Sequence, residues 1–235
     1  MKAPDTGVRG VLQAGGRGAR MATLEGPPKP LLEVGGVPMV ERLLRQLVDA
    51  GVRAVTVITG WKAEIVEAHI RGLRDLPDDL DVGFIRELRP RGNIGSLADL
   101  PRDGKTVVLT FGDLVTDLDF AALIERHRSW GADATLTSHY ELHRLELGEL
   151  HVEGDDVTGY QEKPEKQFLI CSGIAAFEPR VIDLIPRDRP AGISDVVLVA
   201  ISRGLRVTHW LHGAFWMDVN SPEALERARR AAGAS

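Results

Sequence analysis

The chain has 235 residues, 43% of them hydrophobic, and no low-complexity tract, so it can bury one large core and is expected to form a single α/β domain over residues 1–235. Twenty-nine Lys and Arg against 34 Asp and Glu leave a net charge of −5, which argues against a general nucleic-acid or membrane surface and favours a small anionic ligand for any local cationic cluster. Cys171 stands alone, which excludes a disulfide framework and a thiolate metal site; Met1 to Gly10 holds no apolar leader and no run nears about 18 apolar residues, so the cytoplasm is the expected compartment.

Taken in order, Val8 to Ala14 is an apolar strand that empties into Gly15, Gly16, Arg17, Gly18, Ala19 and Arg20. Glycines there can take φ > 0 and turn successive N–H groups toward one anion, and the two arginines add fixed charge. The loop is neither a Walker loop, which needs Gly-Lys-Ser/Thr at its end, nor the dinucleotide fingerprint, whose third glycine would replace Met21. Lys29 lies between Pro28 and Pro30, which stiffen the backbone and aim the ammonium. Val40, Leu43, Leu44, Leu47 and Val48 recur at helical spacing, with Gly51 as the stop.

Ala54 to Thr59 reads as a buried strand, Trp61 to Ile70 as a helix, Val82 to Ile85 as a strand and Thr106 to Phe111 as another. Strand and helix alternate, so the sheet should be mostly parallel and covered on both faces. Gly112 and Asp113 follow the last of these strands, at the edge where ligands of open parallel sheets gather, and a carboxylate there suits a metal. A helix ends near Trp130-Gly131 and Ala134 to Ser138 resumes the sheet. Leu147 to Val152 and Val157 to Gln161, around Gly154-Asp155-Asp156, predict an antiparallel excursion spanning about 141–177 and placed to serve a second substrate. Phe168 to Phe177 is a strand, Arg180 to Ile185 and Ser194 to Arg203 are helices, and Leu205 to Trp210 leads to Trp216-Met217-Asp218. Ser221 caps a final helix with Pro222 at its first position. Of the seven histidines only His139 and His143 stand four apart, but that segment reads as the end of a strand and lacks the Glu of H-E-x-x-H, so none is expected to be catalytic or a ligand, His212 near the Trp216 segment being the nearest exception; Trp61, Trp130 and Trp210 read as packing residues.

The glycine stretch resembles the signature of the nucleotidylyltransferases that make nucleotide-sugars, L-A-G-G-x-G-T-R-L followed by P-K-P-L-L-x-V-x-G-x-P. Gly15, Gly16, Gly18, Arg20, Pro28, Lys29, Pro30, Leu31, Leu32, Val34, Gly36 and Pro38 match; Gln13, Ala19 and Met21 depart, and the Gln13 amide leaves base choice open. The resemblance extends to Gly112-Asp113, to Glu162-Lys163-Pro164, to Gly173-Ile174 with Cys171 and Ala175 departing, and to Trp216-Met217-Asp218-Val219 with Asn220 and Ser221 departing. It implies a GT-A-like three-layer α/β/α fold on a mostly parallel mixed sheet. It also implies transfer of a nucleotidyl group from an NTP to a sugar 1-phosphate.

Carried over, Gln13, Ala14, Gly15, Gly16, Arg17, Gly18, Ala19, Arg20 and Lys29 would hold the nucleotide, with Arg20, Lys29 and Asp113 stabilising charge at the α-phosphorus. Asp113 and Asp218 would hold Mg²⁺, which commonly keeps one or two carboxylates. Gly112, Glu162, Lys163 and Gly173 would meet the sugar phosphate. Pro90 to Leu97, with Asn93, Gly95 and Ser96 at the nucleotide, is also similar to a loop of cytidylyltransferases acting on phospho-alcohols such as inositol phosphate or phosphocholine. That enzyme is the nearer alternative, and a non-catalytic nucleotide-sugar sensor the more distant one. The chain ends one helix after Asp218, so the short kind of enzyme is expected, as a monomer or homodimer acting on an NTP and a phosphorylated small molecule.

Overall fold

The computed structural model describes residues 6–16 and 26–233. β1 (Val8–Ala14) opens the sheet, and β2 (Glu33–Val34) and β3 (Val37–Pro38) form a small hairpin before α1 (Met39–Asp49). β4 (Ala54–Thr59), α2 (Ala63–Arg71), β5 (Asp81–Arg86), β6 (Thr106–Phe111) and β7 (Leu114–Thr116) follow, then α3 (Phe120–Trp130). β8 (Ala134–Arg144), β9 (Glu149–Glu153), β10 (Asp156–Gln161) and β11 (Glu165–Phe177) are consecutive strands. The chain continues with α4 (Pro179–Ile182), α5 (Ile193–Ser202), β12 (Val207–Leu211), β13 (Trp216–Asp218) and α6 (Pro222–Gly233).

Seven strands form the main sheet in the order β12-β8-β11-β6-β1-β4-β5. The β6, β1, β4 and β5 block is parallel, β11 runs antiparallel between β6 and β8, and β12 pairs parallel with β8. Alternation along the strands builds one core per face. Val8, Leu12 and Val108 pack with Leu43, Leu44 and Leu47 of α1 and Leu123 of α3. Val11, Leu109 and Ala175 pack with Val181, Ile182 and Val196 on the other face. The result is the three-layer α/β/α arrangement with a mixed, mostly parallel sheet.

Local chemistry sets the helix ends. Asp119 accepts from the Ala122 N–H at 3.0 Å at the start of α3, Gly131 closes it at φ +56°, and Ser221 accepts from the Ala224 N–H at 3.1 Å to start α6. Three expectations change. The helix after β4 begins at Ala63, not Trp61, and α4 stops at Ile182. β8 and β11 run past the sheet as a two-stranded ladder from Ser138↔Cys171 to Arg144↔Glu165, with the β9–β10 hairpin joining their ends. The antiparallel excursion expected over about 141–177 is thus present, but the β8–β11 pairing within it is mostly exposed, so no buried apolar alternation announced that pairing.

Candidate active site

The parallel strands deliver their carboxyl ends to one edge, and there the chain opens a cavity of about 480 Å³. Gly15 and Gly16 arrive from β1, Gly60 and Trp61 from β4, Glu87 from β5, and Asp113 after Phe111 from β6. The Gly112 N–H donates to Gln13 O at 2.9 Å, and the Glu87 N–H to Thr59 O at 2.7 Å, so adjacent strand ends are tied. Gly15 and Gly16 are not among the glycines at positive φ, which corrects the nest reading for these two. The glycine requirement lies at Gly60 instead, where a Cβ would overlap the Gly15 carbonyl oxygen.

Lys29 sits in a short 3₁₀ turn, Lys29–Leu31, with its side chain 11% exposed. Its ammonium donates to Asp113 Oδ2 at 2.6 Å and lies 3.8 Å from Asp218 Oδ1. Two three-residue strands make that meeting possible. β13 pairs antiparallel with β7 so that Asp218 stands opposite Leu114, and the Val219 N–H donates to Asp113 O at 3.0 Å. Asn220 Nδ2 donates to Asp218 Oδ2 at 3.2 Å and fixes its carboxylate further.

The remaining candidates separate. Gln13 and Ala14 line the cavity; Arg17, Gly18, Ala19 and Arg20 lie outside the described residues. Asn93 lines it too, but its Oδ1 accepts from the Ile193 N–H at 2.9 Å and so caps α5. Gly95 is buried against Arg91, and Ser96 is buried with its hydroxyl donating to Glu87 Oε1 at 3.0 Å; neither lines the cavity. Gly112 packs on Ala14, and Gly173, at φ +74°, leaves space that Phe111 fills. Glu162 and Lys163 are exposed in the turn between β10 and β11, where the Tyr160 hydroxyl donates to Glu162 Oε2 at 2.7 Å. Neither Glu162 nor Lys163 is among the residues that line the cavity.

A family model for the nucleotidyl transferases matches residues 9–234. The chain belongs to that family. Mannose-1-phosphate guanylyltransferase of Mycobacterium tuberculosis is 29% identical over 94% of this chain, which spans 63% of that relative's length. Glucose-1-phosphate cytidylyltransferase of Salmonella typhi is 24% identical, with 91% of each chain covered. Among solved structures, HddC from Yersinia pseudotuberculosis complexed with GMP-PN superposes with a TM-score of 0.70 at 23% identity, over 95% of this chain and 99% of that one. Among the described residues of this nucleotidyl transferase no helix is long and apolar enough to cross a membrane.

Sequence reasoning missed Trp61, Gly60 and Glu87. Trp61 is a cavity wall, with the Lys62 ammonium 4.4 Å from its ring centroid, rather than a packing residue. Glu87 carried a signal, since it directly follows a parallel strand, but β5 is only half-buried and its pattern is faint. A polar row also went unread. Ser172 Oγ lies 2.8 Å from His139 Nδ1 and 2.8 Å from His212 Nε2, Glu141 bridges His139 and His143, and the His139 ring stacks 4.5 Å from Trp216. The Trp216 indole N–H donates to Ser172 O at 2.7 Å, so the row holds the strand that presents Asp218. Hydrogen bonding from His139 holds the Glu141 carboxyl below its usual range, whereas burial pushes the His212 imidazole down.

Proposed function

We propose that this nucleotidyl transferase moves a nucleotidyl group from a nucleoside triphosphate to a sugar 1-phosphate and releases pyrophosphate. The observation that carries the reading is the convergence of Asp218 with Lys29 and Asp113, the latter two lining the strand-end cavity. The family match and the sugar-1-phosphate substrates named for the guanylyltransferase and cytidylyltransferase relatives support it.

Both carboxylates already share one cation, the Lys29 ammonium, and both offer hard oxygen donors, so the pair fits Mg²⁺. Among the described residues no group of three or more His, Cys, Asp or Glu is arranged to hold a metal, which leaves phosphate oxygens and water to complete the shell. When bound at Asp113 and Asp218, a divalent ion neutralises phosphate charge and polarises the α-phosphoryl group. Lys29 adds a fixed cation beside it. An oxygen of the sugar phosphate forms the new bond to the α-phosphorus as the bond to the bridging oxygen breaks and pyrophosphate leaves in line. The attacking monoester is already anionic at neutral pH, so no general base is needed.

The features that favoured a phospho-alcohol cytidylyltransferase are otherwise engaged: Asn93 caps α5, and Ser96 is buried on Glu87. Pyrophosphate release measured with each NTP against sugar 1-phosphates, inositol phosphate and phosphocholine tests the reading. Turnover with a sugar 1-phosphate that Asp113→Ala lowers about a hundredfold supports it; turnover confined to phospho-alcohols contradicts it.

A further inference from the structure

On the reading that the cavity takes a nucleoside triphosphate, we propose that Glu87 selects the base and that the base is guanine. The two oxygens of its carboxylate have different surroundings. Oε1 accepts from the Arg91 N–H at 3.1 Å and from the Ser96 hydroxyl at 3.0 Å. Oε2 lies over Gly15, where a Cβ would stand 3.1 Å from it, and no donor among the described residues reaches it. Both Glu87 and Gly15 line the 480 Å³ cavity. The side chain is thus anchored through one oxygen and offers the other.

A carboxylate oxygen only accepts, so the ligand group opposite it must donate, and its charge rejects carbonyl oxygens. Thymine and uracil present one ring N–H flanked by two carbonyls. Adenine and cytosine present one amino group beside an acceptor nitrogen. Guanine presents two neighbouring donors, N1–H and the 2-amino group, with O6 on the far side. Gln13 lines the same cavity, and its amide oxygen is buried with no partner. With the oxygen on the inside, the NH₂ is the accessible end of the amide and can donate to O6. Guanine satisfies both side chains without setting a carbonyl against the carboxylate.

Glu87→Gln is the discriminating variant. It keeps an oxygen for Arg91 and Ser96 and replaces the cavity-facing acceptor with an NH₂ donor, so anchoring survives while the reading inverts. Calorimetric affinities of GTP, ATP, CTP, UTP and dTTP with Mg²⁺ are compared in wild type, Glu87→Gln and Gln13→Met. The wild type should bind GTP at least about tenfold more tightly than UTP or dTTP. Glu87→Gln should lose about tenfold or more for GTP and gain for UTP and dTTP, and Gln13→Met should weaken GTP alone. A wild type that favours another base, or a Glu87→Gln variant that weakens all five alike, overturns the proposal. Binding is read without turnover, so guanine selection with no sugar phosphate consumed would defeat only the proposed reaction. Sugar-phosphate turnover with unchanged selectivity in Glu87→Gln would defeat only the base assignment.

Discussion

Lys29 stands between two carboxylates, 2.6 Å from Asp113 and 3.8 Å from Asp218, so its removal changes the charge of the site as well as its shape. Lys29→Ala should lower kcat/KM about a hundredfold or more if the ammonium stabilises transition-state charge. The same variant leaves Asp113 and Asp218 without the cation between them. Mg²⁺ should then raise its melting temperature more than it raises the wild type's, and equal shifts would count against a shared cation site. Lys29 was legible between its two prolines and Asp113 at the end of a buried strand, whereas Asp218 was legible only through the resemblance of Trp216-Met217-Asp218-Val219 to the family's segment. Gly60 and Glu87 were not, because the reason for each lies across the sheet: the Gly15 carbonyl for one, Ser96 and the open cavity for the other.

Continuous buried apolar runs were read to the residue, as at β1, β4 and β6. β7 and β13 escaped because three residues carry no period, yet their pairing is what joins the two aspartates. The loops after β1 and β4 meet so closely that Gly60→Ala should cost roughly 2 kcal/mol or more in chemical denaturation, whereas Gly16→Ala, with no atom of the described residues within 4 Å of the new carbon, should leave stability near the parent's. Glu67 of α2 ties the ends of β4 and β5 through Thr59 Oγ1 and the Arg86 guanidinium. The Arg86 hydrogen bond foremost, with Thr59 and Arg71 adding and burial opposing, holds its carboxyl at about 2 against a usual 4.5. An acid with a lowered folded pKa contributes stability above its unfolded pKa and loses it as pH falls through the folded one. Glu67→Gln should therefore cost roughly 2 kcal/mol near neutrality, with the gap from the parent closing between about pH 4.5 and 2.

At the scale of the molecule, acid sensitivity has a second source at higher pH. His127 is 1% exposed between Thr135 and Glu178, and His212 is 8% exposed beside Ser172; burial lowers both imidazoles. A base with a lowered folded pKa takes its proton first in the unfolded chain, so stability falls as pH drops below the unfolded value of 6.5. Denaturation midpoints should decline from about pH 7.5 to 5.5, and His127→Gln should flatten that slope. The mostly parallel character of the sheet and an antiparallel excursion over about 141–177 followed from the alternation of elements, but the strand order and the β8–β11 pairing did not, since most side chains of that ladder are exposed and mark no core. The architecture draws Asp113 from the fourth parallel strand and Asp218 from the last strand of the chain onto one cation. Paramagnetic resonance of Mn²⁺ titrated with a non-hydrolysable GTP analogue tests that convergence most directly. Asp113→Asn and Asp218→Asn should each weaken Mn²⁺ at least about tenfold relative to wild type. Wild-type affinity in both variants would show that the ion is held elsewhere.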